Sequence, residues 1–223
     1  MIRRSLLGSV IAGAIFLFHG CSSNAPRKAE TTSPEEAGRK MPEQLRSPDV
    51  WKVRLETNKG PIVLEVHRDW SPRGADRFYE LVRHDWFNDA RFFRVLKGFA
   101  AQFGLSGDPE KNQLMAQMQI LDDPVKQSNT RGTVTFAKRG PNTRTTQVFI
   151  NLADNKRLDA QGFAPFAKVV EGMEVVDKLY AGYGEGPPHG SGPDQNRIMG
   201  LGNEYLVRQF PQLDFIQTTT ILK

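Results

Sequence analysis

The sequence predicts a mainly-β domain, a sheet curled into a barrel with a few short helices over its open ends. Three observations lead there. Apolar and polar residues alternate at a period of two over several separate stretches, helical spacings are few and short, and turns such as Asn58-Lys59-Gly60 separate the stretches. At 223 residues, 39% hydrophobic and 25% charged, the chain is long enough for one substantial core, with no room for a second full-sized domain.

Residues 1–20 read as an export leader. Arg3 and Arg4 open a basic start, and the uncharged run Leu6 to Phe18 ends at His19-Gly20-Cys21-Ser22-Ser23. That run is too short to span a bilayer. An ordinary N-terminal helix is the alternative, but it would be apolar all round with nothing to bury it. The lone cysteine directly after Gly20 resembles a bacterial lipoprotein processing site, which implies cleavage before a lipid-modified Cys21, with cleavage lacking a lipid as the alternative. The serines that follow resemble an outer-membrane sorting signal more than an inner-membrane one, so the expected location is periplasm-facing and membrane-tethered.

A single cysteine forms no intramolecular disulfide, so the core alone must hold the fold. The formal charge is +5, and loss of the leader leaves 28 basic against 25 acidic side chains, or +3. This mild excess, without a basic block interleaved with aromatics, argues against nucleic acid as a partner.

Residues 21–50 read as a linker. From Ser22 to Asp49 five basic and five acidic side chains balance, with no apolar period, so burial cannot offset the entropy of ordering them. The folded domain is expected over 51–223.

Within it, Val53 and Leu55 alternate with Lys52, Arg54 and Glu56, and Ile62, Leu64 and Val66 resume the period after the turn, giving a hairpin with one buried face. Ser71-Pro72 supplies an N-cap and a proline at the first helical position, and Ala75, Phe78, Leu81 and Val82 hold helical spacing through His84. Phe92–Ala101 and Gly132–Asn151 are strand-rich, separated by a polar excursion over 105–131. Phe166–Val170 reads as a strand and Gly172–Tyr180 as a second short helix with Met173, Val176 and Leu179 or Tyr180 inward. After a Gly/Pro-rich loop over 182–193, Asn203–Phe210 allows another turn or two of helix, and Phe215–Leu222 a closing β-branched strand.

Metal and hydrolase chemistry find little support. His19, His67, His84 and His189 are scattered without the spacing of a zinc set, and the serines lack a strand-turn-helix setting with flanking glycines. More informative is Phe92-Phe93-Arg94-Val95-Leu96-Lys97-Gly98-Phe99-Ala100-Ala101-Gln102-Phe103-Gly104. Arg94 lies inside an apolar run, where an unpaired guanidinium is expensive to bury. It either snorkels, pairs with a carboxylate, or serves a site. A second stretch, Val134 to Asn151, runs strand, Gly140-Pro141-Asn142-Thr143 turn, strand, and carries Gln147 beside apolar neighbours.

Together the two stretches resemble the cyclophilin family of peptidyl-prolyl isomerases, a resemblance that extends over residues 51–223. It implies an eight-stranded antiparallel β-barrel capped by two short helices. It also implies that Arg94 is the catalytic arginine, with Phe99 and Gln102 catalytic beside it, and that Ala137, Gln147, Phe149, Leu158, Phe163 and Arg157 contact substrate. Arg157 stands where well-known eukaryotic members carry a tryptophan associated with cyclosporin binding, so Arg157 counts against cyclosporin sensitivity. Phe163 stands at the position of a pocket histidine and keeps an aromatic wall without the imidazole's hydrogen bond.

The chemistry implied needs no cofactor and no metal. Rotation about the X-Pro bond localises the lone pair on the prolyl nitrogen, and a guanidinium that bonds this nitrogen favours the twisted state over the planar one. Expected partners are proline-containing polypeptides, probed by a monomer tethered through Cys21. A binding module of the same fold, gripping proline segments without turnover, is the alternative. For Phe99, Phe149 and Leu158 the competing reading is plain barrel core.

Overall fold

A computed structural model describes residues 45–222. The expected leader, Cys21 and most of the expected linker lie outside the described residues. The linker's last residues are described, and the domain already begins among them: Ser47 is buried, and its backbone N–H and hydroxyl both donate to Asp76 Oδ1, at 2.9 and 3.0 Å.

Eight strands form one antiparallel sheet: β1 (Val50–Thr57), β2 (Gly60–His67), β3 (Arg94–Leu96), β4 (Ala100–Phe103), β5 (Thr133–Phe136), β6 (Val148–Asn151), β7 (Pro165–Glu171) and β8 (Ile216–Leu222). Their order is β3-β4-β6-β5-β7-β2-β1-β8. The expected closed barrel is corrected here. No ladder joins the edge strands β3 and β8; the backbone just before each meets in one isolated bridge, Arg91 with Phe215, where Phe92 N–H donates to Asp214 O at 2.9 Å. The sheet is therefore an open, curled half-barrel tacked at a single point.

The predicted hairpin is β1–β2, paired from Val50–His67 to Thr57–Gly60. Gly60 sits at φ 125°, a conformation that disfavours any side chain, which is why this turn ends in glycine. Val53, Leu55, Ile62, Leu64 and Val66 are fully buried on the face that the alternation marks.

Among the described residues four α-helices, not two, accompany the sheet: α1 (Pro72–Arg83), α2 (Pro109–Ala116), α3 (Met173–Asp177) and α4 (Gln195–Gln209). Helix α1 buries Ala75, Phe78, Leu81 and Val82 as its period predicts. Phe78 anchors it, with ring centroids 4.9 Å from Phe166, 5.2 Å from Phe87 and 6.0 Å from Trp51. Ser71 begins the helix without capping it, because its hydroxyl donates instead to Asp123 Oδ2 at 2.6 Å. Helix α3 is shorter than expected and turns Val175 and Val176 inward, leaving Met173 half-buried.

The excursion over 105–131 contains α2, started by Asp108, whose carboxylate accepts the Glu110 N–H at 2.9 Å. Helix α4 begins at Gln195, eight residues before the expected start at Asn203, and is interrupted at Gly202 (φ 56°, ψ −141°). There the backbone passes so close to Gly107 that no Cβ would fit. Beyond the main core, α4 closes a second apolar cluster of Ile198, Tyr205 and Leu206 with Phe93, Leu105, Phe210 and Leu213.

Candidate functional site

Strand periodicity places the site. In β4, Ala101 and Phe103 enter the main core while Ala100 and Gln102 point the other way; in β6, Val148 and Ile150 enter the core while Phe149 and Asn151 oppose them. In β3 only Val95 is a core residue, and Arg94 lies on the opposite face. Register then lines up one row across the sheet: Arg94 opposite Gln102, Gln102 opposite Phe149, and Phe149 opposite Thr135.

On this far face Ala100, Phe149 and Leu158 form their own buried apolar cluster, with Phe99, Ala137 and Phe163 packed against it. The reading of Phe99, Phe149 and Leu158 as barrel core therefore fails. They belong to a separate cluster, and a cavity of about 850 Å³ opens over it. Arg94, Phe99, Gln102, Ala137, Gln147, Phe149, Leu158 and Phe163 all line that cavity. Arg157 does not. It is exposed outside the cavity, its guanidinium carbon 5.0 Å from the Phe99 ring centroid, because the 3-10 turn Lys156–Leu158 turns Leu158 inward and leaves Arg157 outward.

The pocket walls hang on a buried polar lattice. Asn155 Nδ2 donates to Phe99 O and to Asn151 Oδ1, both at 2.8 Å, and Asn129 Nδ2 donates to Phe163 O at 2.8 Å. Asp159 fixes Asn129 by accepting its backbone N–H at 2.9 Å and its amide at 2.7 Å, and it also accepts the Ser128 hydroxyl. Burial raises the Asp159 carboxyl, but the Ser128 and Asn129 donors outweigh it and hold the group below the usual range. Phe149 and Phe163 meet edge to face at 6.0 Å.

Arg94 is half-buried and neither free nor snorkelling. Its Nη1 donates to Gln102 Oε1 at 3.2 Å, and Gln102 Nε2 donates onward to Gln147 Oε1 at 2.8 Å. Its Nε and Nη2 donate to Glu185 Oε1 and Oε2 at 2.6 and 2.5 Å, and its guanidinium carbon lies 5.4 Å from the Phe99 ring centroid. Those Arg94 bonds are the main reason the Glu185 carboxyl titrates below the ordinary carboxylate range; partial burial opposes them, while the Arg94 charge, the Gly186 N–H and His189 assist. Ala137 has its N–H already committed to Gln147 O at 2.9 Å.

Sequence reasoning missed Glu185 and His189 in the Gly/Pro-rich loop, Met115 and Gln119 at the end of α2 and just beyond it, and Asn196 and Met199 on α4, all of which line the cavity. Asp108-Pro109 signals α2, as Ser71-Pro72 signals α1. No local pattern signals Glu185, whose partner is 91 residues away. Among the described residues no group of three or more His, Cys, Asp or Glu is placed to hold a metal ion.

A curled antiparallel sheet thus carries a guanidinium at the edge of a cavity floored by an aromatic and aliphatic cluster. Residues 52–199 match the family described as cyclophilin type peptidyl-prolyl cis-trans isomerase/CLD, and the chain belongs to this family. It is 36% identical over 132 residues to a peptidyl-prolyl cis-trans isomerase of Acinetobacter baylyi, covering 57% of this chain and 70% of that one. To peptidyl-prolyl cis-trans isomerase B of Escherichia coli it is 34% identical over 141 residues, covering 57% and 82%. The crystal structure of a Cryptosporidium parvum cyclophilin type isomerase superposes with a TM-score of 0.56 at 21% identity, over 78% of this chain and 98% of that one, and shows the fold alone. The same Cryptosporidium protein solved in the presence of the dipeptide Ala-Pro gives 0.54 at 21% identity, over 77% and 99%. The chain is an enzyme of this class, a peptidyl-prolyl isomerase.

Proposed function

We propose that the cavity holds the proline of an X-Pro segment between Phe99, Phe149, Leu158 and Phe163, and that Arg94 accelerates isomerisation by bonding the prolyl nitrogen as the peptide twists. The observation that carries this reading is the row Arg94–Gln102–Phe149, which sets a guanidinium beside an apolar slot on a face the main core does not use. In the planar amide the nitrogen lone pair is delocalised and accepts poorly; in the twisted amide it is localised and accepts well. The same bond is therefore stronger in the transition state, which is the condition for catalysis. Gln102 and Gln147 hold the flanking peptide. Ala137, with its N–H committed, contributes its carbonyl.

The test is Arg94→Ala, expected to lower kcat/KM per folded molecule at least about tenfold on a proline test peptide, with Arg94→Lys losing most of the activity as well. The denaturation midpoint should move much less. A wild-type chain that binds proline peptides without accelerating their isomerisation would replace this reading with the binding module.

We further propose that the enzyme acts on exported proteins while tethered through Cys21, a reading supported by Arg3, Arg4, the apolar run to Phe18 and the Gly20-Cys21 junction. Intact mass of the protein from membranes would contradict it by showing Met1 retained or Cys21 unmodified.

A further inference from the structure

We propose that Glu185 is a positioning residue of the isomerase site, holding the Arg94 guanidinium in the orientation that presents its remaining donors to the peptide; this rests on the role proposed for Arg94. A guanidinium carries five N–H donors in a rigid plane. Glu185 takes two of them as a bidentate pair, through Nε and Nη2, and Gln102 takes one on Nη1. That leaves one donor on each terminal nitrogen. Contacts from two sides fix the plane, and the Phe99 ring lies against it. Without Glu185, Gln102 alone would hold the group, and a single bond leaves a long side chain free to rotate out of the cavity.

The loop that carries Glu185 is shaped to deliver it. Gly186 N–H donates to Glu185 Oε1 at 3.1 Å, orienting the carboxylate, and Gly192 N–H donates to Glu185 O at 2.9 Å, closing the loop on the same residue. Gly190 packs so tightly on the Glu185 carbonyl that a Cβ there would overlap it. Two residues before Glu185, Tyr183 stands edge-on to Phe210 at 5.0 Å, which ties the loop into the second apolar cluster. The glycines that make residues 182–193 look like an unstructured connection thus pack around one residue, Glu185, whose carboxylate meets one arginine.

The opposite effect is also physically available: a carboxylate neutralises the guanidinium and competes with the peptide for its donors. The structure favours positioning, because the pair uses the Nε edge and leaves donors on both terminal nitrogens, where a competitor would cover them.

The experiment compares the full chain with Glu185→Ala, Glu185→Gln and Gly190→Ala, using two readouts. The first is hydrogen exchange at Arg94 Nε–H, followed by NMR and assigned through its loss in Arg94→Lys. The second is kcat and KM on a proline test peptide. Glu185→Ala should speed the exchange at least about tenfold and lower kcat/KM by about three- to tenfold, mostly in kcat. Glu185→Gln, which keeps one acceptor oxygen, should fall between. Gly190→Ala, which meets the Glu185 backbone and Cβ but neither charged group of the pair, should follow Glu185→Ala. In the Arg94→Ala background, Glu185→Ala should have no further effect on turnover. Increased kcat/KM in Glu185→Ala would overturn the proposal in favour of an inhibitory contact, and unchanged exchange would overturn it outright. Should the wild type prove inactive, the isomerase role of Arg94 falls by itself, while the exchange rates still decide whether Glu185 fixes the guanidinium.

Discussion

Arg94 and Gln102 stand directly opposite each other across the β3–β4 pair, and their side chains are joined at 3.2 Å. Backbone register enforces this relationship, since directly opposed residues share a face of the sheet. Gln102 passes the connection to Gln147, so the cation and two amides form one chain across the site. Glu185 reaches Arg94 from the other side, out of a loop. The site therefore has one arm built by the sheet and one built by glycine packing.

The separation of the two apolar clusters predicts that stability and binding respond to different phenylalanines. Phe78→Ala removes a fully buried ring at the centre of the main core and should cost about 3–5 kcal/mol, with kcat/KM per folded molecule little changed. Phe149→Ala opens an already open pocket to water. It should cost less stability but lower kcat/KM at least about tenfold, mainly through KM. Paired urea titrations and initial rates check both.

Asn155 is buried and splits its amide N–H donors between Phe99 O and Asn151 Oδ1. Asn155→Ala leaves the buried Asn151 Oδ1 without its donor and Phe99 O with the Leu152 N–H alone, which should cost about 1–3 kcal/mol. Because Phe99 then loses one of its restraints, KM should rise as well. A stability loss with KM unchanged would show that the lattice supports the fold alone.

Asp123 is buried between Ser71, Gly74 and Arg144. Burial pushes its carboxyl up, but the Ser71 hydroxyl, the Arg144 charge, the Gly74 N–H and the Arg144 hydrogen bond together bring it below the ordinary aspartate value. A depressed folded pKa contributes stability that is complete above the unfolded value, about pH 4, and vanishes as pH falls through the lower folded value. The difference in urea midpoint between wild type and Asp123→Ala should be largest at neutral pH and shrink steadily below about pH 4. A difference that stayed constant down to acid pH would show that the carboxylate charge is not what matters there.

Much of the domain is legible wherever one period dominates. The β1–β2 hairpin and α1 each bury one clean face, so Val53, Ile62 and Phe78 announce themselves. Helix α2 does not, because its buried residue is the polar Asn112, bonded both ways to Ser106, while Leu114 is exposed. The first half of α4 is hidden by Gly200 and Gly202, residues that ordinarily argue against a helix. The resemblance reached Arg94, Gln102 and Phe149, which sit in strands. It placed Arg157 with the pocket residues, although in the 3-10 turn only Leu158 turns inward. Glu185 lay beyond reach, since a lone carboxylate among glycines and prolines carries no period and its partner is distant.

Alternation in β4 and β6 assigns Ala101, Phe103, Val148 and Ile150 to the core and their neighbours Gln102 and Phe149 to the pocket. Every position in these two strands thus belongs to one of two parities. A single inserted or deleted residue would exchange them, driving Gln102 into the hydrophobic interior and turning Phe103 out, so that folding and turnover would fail at one stroke. Length variation among relatives should then be absent from these strands and gather in the connections between them.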